Sequence, residues 1–469
     1  MIEVYNMLTR RDELLEALRP GEIGMYSCGV TPYDLSHVGH ARSAIVFDVI
    51  QRYLRQSGYR VTFVRNFTDV DDKIIRRAAD EGVSSEEIAD RYIAEFGKDM
   101  AAIGVRPADV EPRATHHIPE MVALIERLVA KGVAYAIDGD VYFVVRRFPA
   151  YGQLSGKNLD ELLLGARVEV DERKRDPRDF ALWKSSKPGE PSWPSPWGPG
   201  RPGWHIECSA MAAKYLGDSF DIHGGGEDLI FPHHECEIAQ SEAATGARFA
   251  RYWLHNGMVN LGAEKMSKSL GNVLTIKEIV KRHPPDALRL WLLTTHYRNP
   301  IEFSEERLAE GTRALDRFHR ILREADRLRP TVPDGPTERL PDELAVFRSR
   351  FHAAMDDDFN TPQALAVLFD LAHALQPWRD RAPSDAEARR FFVRGADQVL
   401  SLGRTLGLLE AELETAGPPP EIDRLVAERQ AARKARNFRE ADRLRQEIVD
   451  RGWLVEDTPA GPRLTPRGT

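Results

Sequence analysis

The 469-residue chain has only three cysteines, Cys28, Cys208 and Cys236. Three thiols cannot frame a disulfide scaffold; they point to a reducing compartment in which thiols are kept for metal or for catalysis. No run of about 18 apolar residues occurs, which excludes a transmembrane helix. The first residues, MIEVYNMLTRRDELLE, carry charge where a secretory signal needs an apolar stretch. These absences predict a cytoplasmic protein with no membrane partner. Excess positive charge is lacking as well: the net charge of −8 argues against a protein that coats nucleic acid wholesale, though not against a local basic surface. What is present is ordinary globular composition, 42% hydrophobic and 29% charged, enough to bury sizeable cores. At about 100–200 residues per domain, roughly three domains are expected.

The charge is distributed unevenly. Residues 421–469 hold 11 Lys and Arg against 9 Asp and Glu, and within 424–445 the balance is 8 basic to 3 acidic. A solvated helix would look like this, and so would a surface that meets phosphates.

Residues 22–30, EIGMYSCGV, read as a strand. Val46, Val49, Ile50, Tyr53 and Leu54 then follow helical spacing up to Gly58. Residues 60–67 alternate as a strand, and Asp71 opens another helix. Strand–helix–strand is the unit of a parallel, doubly wound α/β sheet, in which ligands sit at the C-terminal strand ends beside helix N-termini. A segment near 118–218 looks inserted, with a strand at 140–145. Its stretch 187–203 has six Pro and four Gly in 17 residues and should not form regular structure, while Trp193 and Trp197 should pack it against something. The sheet should resume from 219. From about 300 the chain reads as helical, with linkers at 328–340 and 411–421. Thr361-Pro362 reads as an N-cap followed by Pro at N1, ahead of an apolar face of Leu365, Leu368, Phe369, Ala372 and Leu375. The last 49 residues suit a small appended domain.

Two short segments carry chemistry. His37-Val38-Gly39-His40 falls just after a strand, at the start of a helix. Imidazoles three apart share a helix face, the glycine lets a ligand approach the backbone, and free N–H groups at a helix start favour an anion. Lys265-Met266-Ser267-Lys268-Ser269 sets two lysines three apart among small residues, a loop suited to neutralising a triphosphate. Metal ligands are also on offer: Cys28 at a strand end, Cys208 in WHIEC, and His233-His234-Glu235-Cys236-Glu237. On a helix His233 and Glu237 would share a face, and Cys236, three after His233, is a rival by spacing. No HExxH is present, which disfavours a zinc hydrolase.

The pair HxGH and KMSKS resembles the signatures of class I aminoacyl-tRNA synthetases, and Asp286-Ala287-Leu288-Arg289 matches the string naming their helical anticodon-domain family. The resemblance narrows with MYSCGVTPYDLSHVGH (25–40), NFTDVDDKI (66–74), GEPSWPSPWGPGRPGWHIECSAM (189–211), FDIHGGGEDLIFPHHECEIAQ (220–240), GMVNLGAEKMSKSLGN (257–272), MDDDFNTP (355–362) and ERQAARKARNFREADRLRQEI (428–448). All of these are similar to cysteinyl-tRNA synthetases, and they span nearly the whole chain. The resemblance implies an α/β Rossmann-type catalytic domain in two halves, 1–117 and 219–300, around an inserted connective subdomain, 118–218. A helical domain, 301–410, and a small tRNA-binding domain, 421–469, should follow. It implies one zinc ion on Cys28, Cys208, His233 and Glu237; Cys236 departs from the family's pattern and stands as a rival ligand.

The same resemblance implies ATP, with Mg2+, at His37, Gly39, His40, Lys265, Ser267 and Lys268. Among these, His37, His40, Lys265 and Lys268 would be catalytic. Gly29, Thr68 and Trp204 would lie near the cysteine. The partners implied are L-cysteine, ATP and tRNA(Cys), the activity is cysteinyl transfer to the terminal adenosine through its 2′-hydroxyl, and the state is a monomer. A zinc that selects sulfur makes an editing domain unnecessary, and none is expected. Phe438 and Trp453 are aromatic candidates for contact with tRNA bases. The nearest alternative is a cysteine:glucosaminyl-inositol ligase of the mycothiol pathway, which would share the zinc, HxGH and KMSKS segments but not residues 421–469. A non-catalytic tRNA-binding protein would need neither signature.

Overall fold

The computed structural model describes the chain except for residues 158–172, 262–263, 266–273, 333–339, 411–419, 436, 452, 459–460 and 467–469. It forms two compact units, Met1–Glu410 and Ala411–Thr469.

The first unit opens with an antiparallel pair, β1 (Glu3–Asn6) and β2 (Arg11–Leu14). Strand β3 (Glu22–Val30), helix α1 (Val38–Gln56) and strand β4 (Arg60–Phe67) follow, and β3 and β4 pair in parallel, as the alternation of these segments requires. Helix α2 (Asp72–Glu81) is capped by the Asp71 carboxylate, which accepts from the Lys73 N–H. It packs on α3 (Ser85–Ala102) through Ile74, Ala78, Ile88 and Tyr92. After α4 (Ile118–Ala130) a four-stranded antiparallel sheet takes β5 (Ala134–Ile137), β6 (Asp140–Phe143), β7 (Phe180–Ser185) and β8 (Gly200–Pro202) in that order.

The presence of β8 corrects the reading of 187–203 as wholly irregular. β8 is an edge strand, where proline is tolerated because no further ladder needs its missing N–H. Trp193 exchanges backbone hydrogen bonds with Gly200, and both Trp193 and Trp197 pack against the core.

Helix α5 (Trp204–Leu216), strand β9 (Phe220–Gly226), helix α6 (Glu235–Thr245) and strand β10 (Ala250–Asn256) complete the central layer. The main sheet is all parallel, in the order β10-β9-β3-β4. Its connections run outward on either side of the β3/β9 boundary, which makes that boundary the topological switch point where such sheets bind ligands. Strands β11 (Val259–Leu261) and β12 (Glu264–Lys265) form a small sheet with β13 (Ile301–Glu302), and between them come α7 (Ile276–Val280) and α8 (Pro285–Leu293).

The rest of the unit is helical: α9 (Glu305–Leu328), α10 (Asp342–Asp356), α11 (Thr361–Ala374), α12 (Gln376–Arg381) and α13 (Ala386–Thr405). Leu365, Leu368, Ala372 and Leu375 are buried as their spacing predicts, and Phe369 stacks on Phe318 at 4.9 Å. The N-cap of α11 is Asn360, not Thr361. The Asn360 side chain accepts from the Gln363 N–H, leaving the Thr361 hydroxyl to donate to the Leu293 carbonyl at 3.0 Å. Most of the linker expected at 411–421, and 333–339 of the one at 328–340, lie outside the described residues. No helix among the described residues is long and apolar enough to cross a membrane.

The second unit pairs helices α14 (Pro420–Lys434) and α15 (Phe438–Asp450) with a hairpin of β14 (Trp453–Thr458) and β15 (Gly461–Pro466). Ile422, Leu425, Leu444, Ile448 and Val455 form its core. Trp453 packs against that core, whereas Phe438 is 62% exposed.

Candidate active site and metal centre

At the C-terminal end of β3 the chain delivers Cys28 and Gly29 to the switch point. A side chain at Gly29 would place its Cβ 1.6 Å from the Asn66 carbonyl oxygen, so only glycine fits between the ends of β3 and β4. The Gly29 N–H donates to the Asn66 side chain at 2.9 Å, and Asn66 donates in turn to the Thr68 hydroxyl at 3.4 Å. Cys28, Gly29, His37, Gly39, His40 and Trp204 all line one cleft of about 360 Å³. Thr68 is buried behind Asn66 and is not among the residues of the cleft wall.

Below the cleft floor Cys28, Cys208, His233 and Glu237 bring their ligand atoms within 4.8 Å of one another, all buried. The Cys28 and Cys208 sulfurs are 3.6 Å apart, and Glu237 Oε1 lies 3.3 Å from the Cys28 sulfur and 3.0 Å from His233 Nε2. The i, i+4 spacing of His233 and Glu237 therefore does bring them to one face. The other carboxylate oxygen, Oε2, meets His223 Nε2 at 2.8 Å, and His205 Nδ1 meets His233 Nδ1 at 2.9 Å. Such outer partners fix the rings and oxygens of a metal site. Cys236 stands apart: its thiol contacts the Tyr151 hydroxyl at 3.2 Å and joins neither ligand cluster among the described residues.

The donors fit a cation on chemical grounds. Burial pushes the Cys28 thiol well above its ordinary range, and the neighbouring Cys208 and Glu237 push it the same way. Burial also opposes ionisation of Glu237, but His223 and His233 outweigh it and hold the carboxyl well below the carboxylate range. Burial would lower His233, yet the Glu237 charge and the Cys208 thiol raise it to about 10. Four crowded donors thus balance negative charge with a single imidazolium. A divalent cation would replace that proton and the one on Cys28, and would satisfy two thiolates, one nitrogen and one oxygen, a donor set that suits zinc.

A second grouping, Cys28, His223, His234 and Glu237, is equally close. It carries one thiolate instead of two. A soft ion therefore favours the first set.

At the other end of the cleft, His37 is the N-cap of α1: its Nδ1 accepts from the Gly39 N–H at 3.1 Å, and His40 Nδ1 accepts from the His37 N–H at 3.3 Å. The two rings stack with centroids 3.7 Å apart. A Cβ on Gly39 would fall 2.9 Å from the His37 ring. No acidic side chain occupies the first turn, so no carboxylate offsets the positive end of this 19-residue helix. Lys265 lies on β12, backbone-paired with Asn260; Ser267 and Lys268 fall outside the described residues. The chain that follows them returns to the start of α1: Val38 N–H donates to the Leu274 carbonyl and Ile276 N–H to the Ser36 carbonyl, each at 3.1 Å.

Trp204, the first residue of α5, is 40% exposed and stacks on His233 at 4.3 Å, joining the cleft to the metal cluster. Sequence reasoning passed over the His205, His223 and His255 imidazoles around it. The signal was a histidine inside FDIHGGG, a strand otherwise buried, at the register position of Tyr26, two residues before Cys28. It also passed over Lys73 of NFTDVDDKI, which lines the cleft with its ammonium over the Tyr33 ring at 5.4 Å.

The parallel sheet, the imidazole pair at its first crossover helix and the following helical bundle define a class I aminoacyl-tRNA synthetase. Residues 14–313 match the family of "tRNA synthetases class I (C) catalytic domain", 350–410 the DALR domain, and 415–461 the "Cysteinyl-tRNA ligase anticodon binding domain". A cysteine–tRNA ligase of Alkalilimnicola ehrlichii is 54% identical over 98% of this chain and 99% of its own. One of Syntrophobacter fumaroxidans is 51% identical over 99% of both. Among solved structures, Mycobacterium tuberculosis methionyl-tRNA synthetase with methionyl-adenylate superposes with a TM-score of 0.62 at 18% identity, covering 82% of this chain and 93% of that one; at that identity the likeness is one of fold. The chain belongs to the cysteinyl-tRNA synthetase family, and its activity is that of a cysteine–tRNA ligase. The match at 415–461 counts against the aminosugar-ligase alternative, which would lack that segment.

Proposed function

We propose that the site activates L-cysteine with ATP and transfers it to the 3′-terminal adenosine of tRNA(Cys), with Cys28, Cys208, His233 and Glu237 holding one zinc ion. The carrying observation is that Cys28 of the buried thiol–imidazole–carboxylate cluster lines the same cleft as His37, Gly39 and His40 at the N-terminus of α1. Zinc there would supply a soft Lewis acid that favours sulfur over oxygen, a discrimination that shape alone limits to about 100-fold between near-isosteres. Gly29, Thr68 and Trp204 bound the cysteine: Gly29 by close backbone approach, Thr68 by holding Asn66, and Trp204 as a lid over His233.

The cysteine carboxylate attacks the α-phosphorus of ATP, diphosphate leaves, and cysteinyl-adenylate remains. His37 and His40 stabilise charge on the phosphate in the transition state, aided by the positive end of the α1 dipole and by close approach over Gly39. Lys268, with Lys265 and Ser267, neutralises the departing diphosphate, which carries Mg2+ from ATP. The 2′-hydroxyl of the terminal adenosine then attacks the adenylate carbonyl and AMP leaves.

The catalytic halves are 1–117 and 219–300, with 118–218 inserted, 301–410 as the helical domain and 421–469 on the anticodon arm. Phe438, exposed at the start of α15, suits stacking on a splayed base. The enzyme works as a cytoplasmic monomer.

The test incubates the protein with radiolabelled cysteine, ATP, Mg2+ and deacylated tRNA and reads acid-precipitable label. Label with cysteine and none with serine is expected. Cysteine-dependent exchange of diphosphate without label on tRNA would overturn the assignment of the acceptor.

A further inference from the structure

The Asp286-Ala287-Leu288-Arg289 string has no part in the cleft. Both of its charged residues instead hold the last stretch of the first unit. The Asp286 carboxylate accepts from the Leu409 N–H at 2.9 Å. Arg289, fully buried, donates to the carbonyls of Leu406 at 2.7 Å, Gly104 at 3.2 Å and Ile103 at 3.3 Å, and pairs with Asp48 of α1. Asp48, also buried, accepts from Arg52 at 2.8 Å and from the Arg106 N–H at 3.2 Å. Arg52 reaches on to both Glu410 oxygens, at 2.5 and 3.1 Å, and to the Arg404 carbonyl at 3.3 Å. Arg106 adds a contact to Glu410 at 2.8 Å. Gly407 sits at φ +69°, and any Cβ there would collide with the Arg289 guanidinium.

Apolar packing would stabilise this region as well as or better than a buried arrangement of two guanidinium groups and a carboxylate, so the arrangement is read by the geometry its hydrogen bonds hold. The geometry specified here is that of residues 404–410 against α1. The same helix begins with His37 and His40, and Asp48 lies about two turns beyond His40. One rigid element therefore carries the imidazoles at its start and grips, further along, the chain from which the second unit departs at residue 411.

We infer that Asp48, Arg52, Arg289 and Glu410 are positioning residues for tRNA charging: they set the exit of the chain toward the C-terminal unit in fixed register with the helix that bears His37 and His40. The inference rests on the C-terminal unit holding the anticodon arm. A tRNA held at that end gains from its tether only if the tether's root is fixed relative to the reacting groups.

Glu410→Ala in the full chain is the gentlest break, because the Glu410 side chain is 30% exposed and Arg52 keeps Asp48. The readouts are charging of full-length tRNA(Cys), charging of an acceptor-stem minihelix, and cysteine-dependent diphosphate exchange. The expected result is a fall of about tenfold in kcat/KM for full-length tRNA, with minihelix charging and exchange held within about twofold. Arg106→Gln, which removes only the outer contact, should shift the same ratio by about two- to threefold. An unchanged ratio of full-length to minihelix charging, whether both fall or neither does, overturns the inference. A wild-type enzyme that charges the minihelix as well as full-length tRNA would show that the anticodon arm contributes nothing, and would overturn the underlying reading as well.

Discussion

At one end of the cleft Cys208, His233 and Glu237 are 1% exposed or less and Cys28 9%, while at the other His37 and His40 lie half-buried on the first turn of α1. The cluster end is buried and backed by imidazoles: His223 on Glu237 and His205 on His233. The other end is built on the two stacked imidazoles at the start of α1, with Leu274 and Ile276 hydrogen-bonded beside them. The contrast follows from the two tasks. In the proposed function, choosing sulfur over oxygen depends on ligands that cannot rearrange to suit the wrong atom, which burial and hydrogen bonds from behind provide. Stabilising a phosphate that arrives and departs calls for accessible donors.

The contrast can be tested from its rigid end outward. Cys28→Ser should cut cysteine activation by about a thousandfold and lower bound zinc, while ATP binding persists; cysteine affinity unchanged by titration calorimetry would break the account of that end. Lys268→Ala should slow activation by about a hundredfold with cysteine affinity little altered, as removing a transition-state donor does. A loss confined to cysteine binding, measured by single-turnover kinetics, would move Lys268 to the opposite end of the cleft. Trp204→Ala probes the boundary between the ends: the ring is 40% exposed, and its stacking on His233 should affect KM for cysteine by about three- to tenfold and leave kcat nearly unchanged.

Much of this was legible in the sequence because it is local. Residues 22–30 read as a strand and 60–67 alternate as one, and the structure forms strands over both. His37-Val38-Gly39-His40 announces a helix start by its glycine and its position after a strand, and the cap is there. The fourfold metal cluster needed the family resemblance, since Cys28 and Cys208 lie 180 residues apart and only the fold brings them together. Spacing left Cys236 as a rival to Glu237; the helix turns its thiol toward Tyr151 instead. His223 escaped notice because its role depends on the register between β9 and β3, which sequence spacing does not encode. Thr361 looked like a cap, but Asn360 competes for the same N–H and wins, while the threonine finds a carbonyl across the domain. Strand β8 was hidden among the prolines of 187–203, and its own, Pro202, is one that an edge position tolerates.

The central claim, that Cys28, Cys208, His233 and Glu237 form the centre that selects cysteine, is tested most directly by replacing the native metal with Co2+ and recording the absorption spectrum. The account predicts tetrahedral cobalt bands with thiolate charge-transfer intensity that rises on adding cysteine and not on adding serine, both lost in Cys208→Ser. A spectrum that binds cobalt normally but is indifferent to cysteine would contradict it.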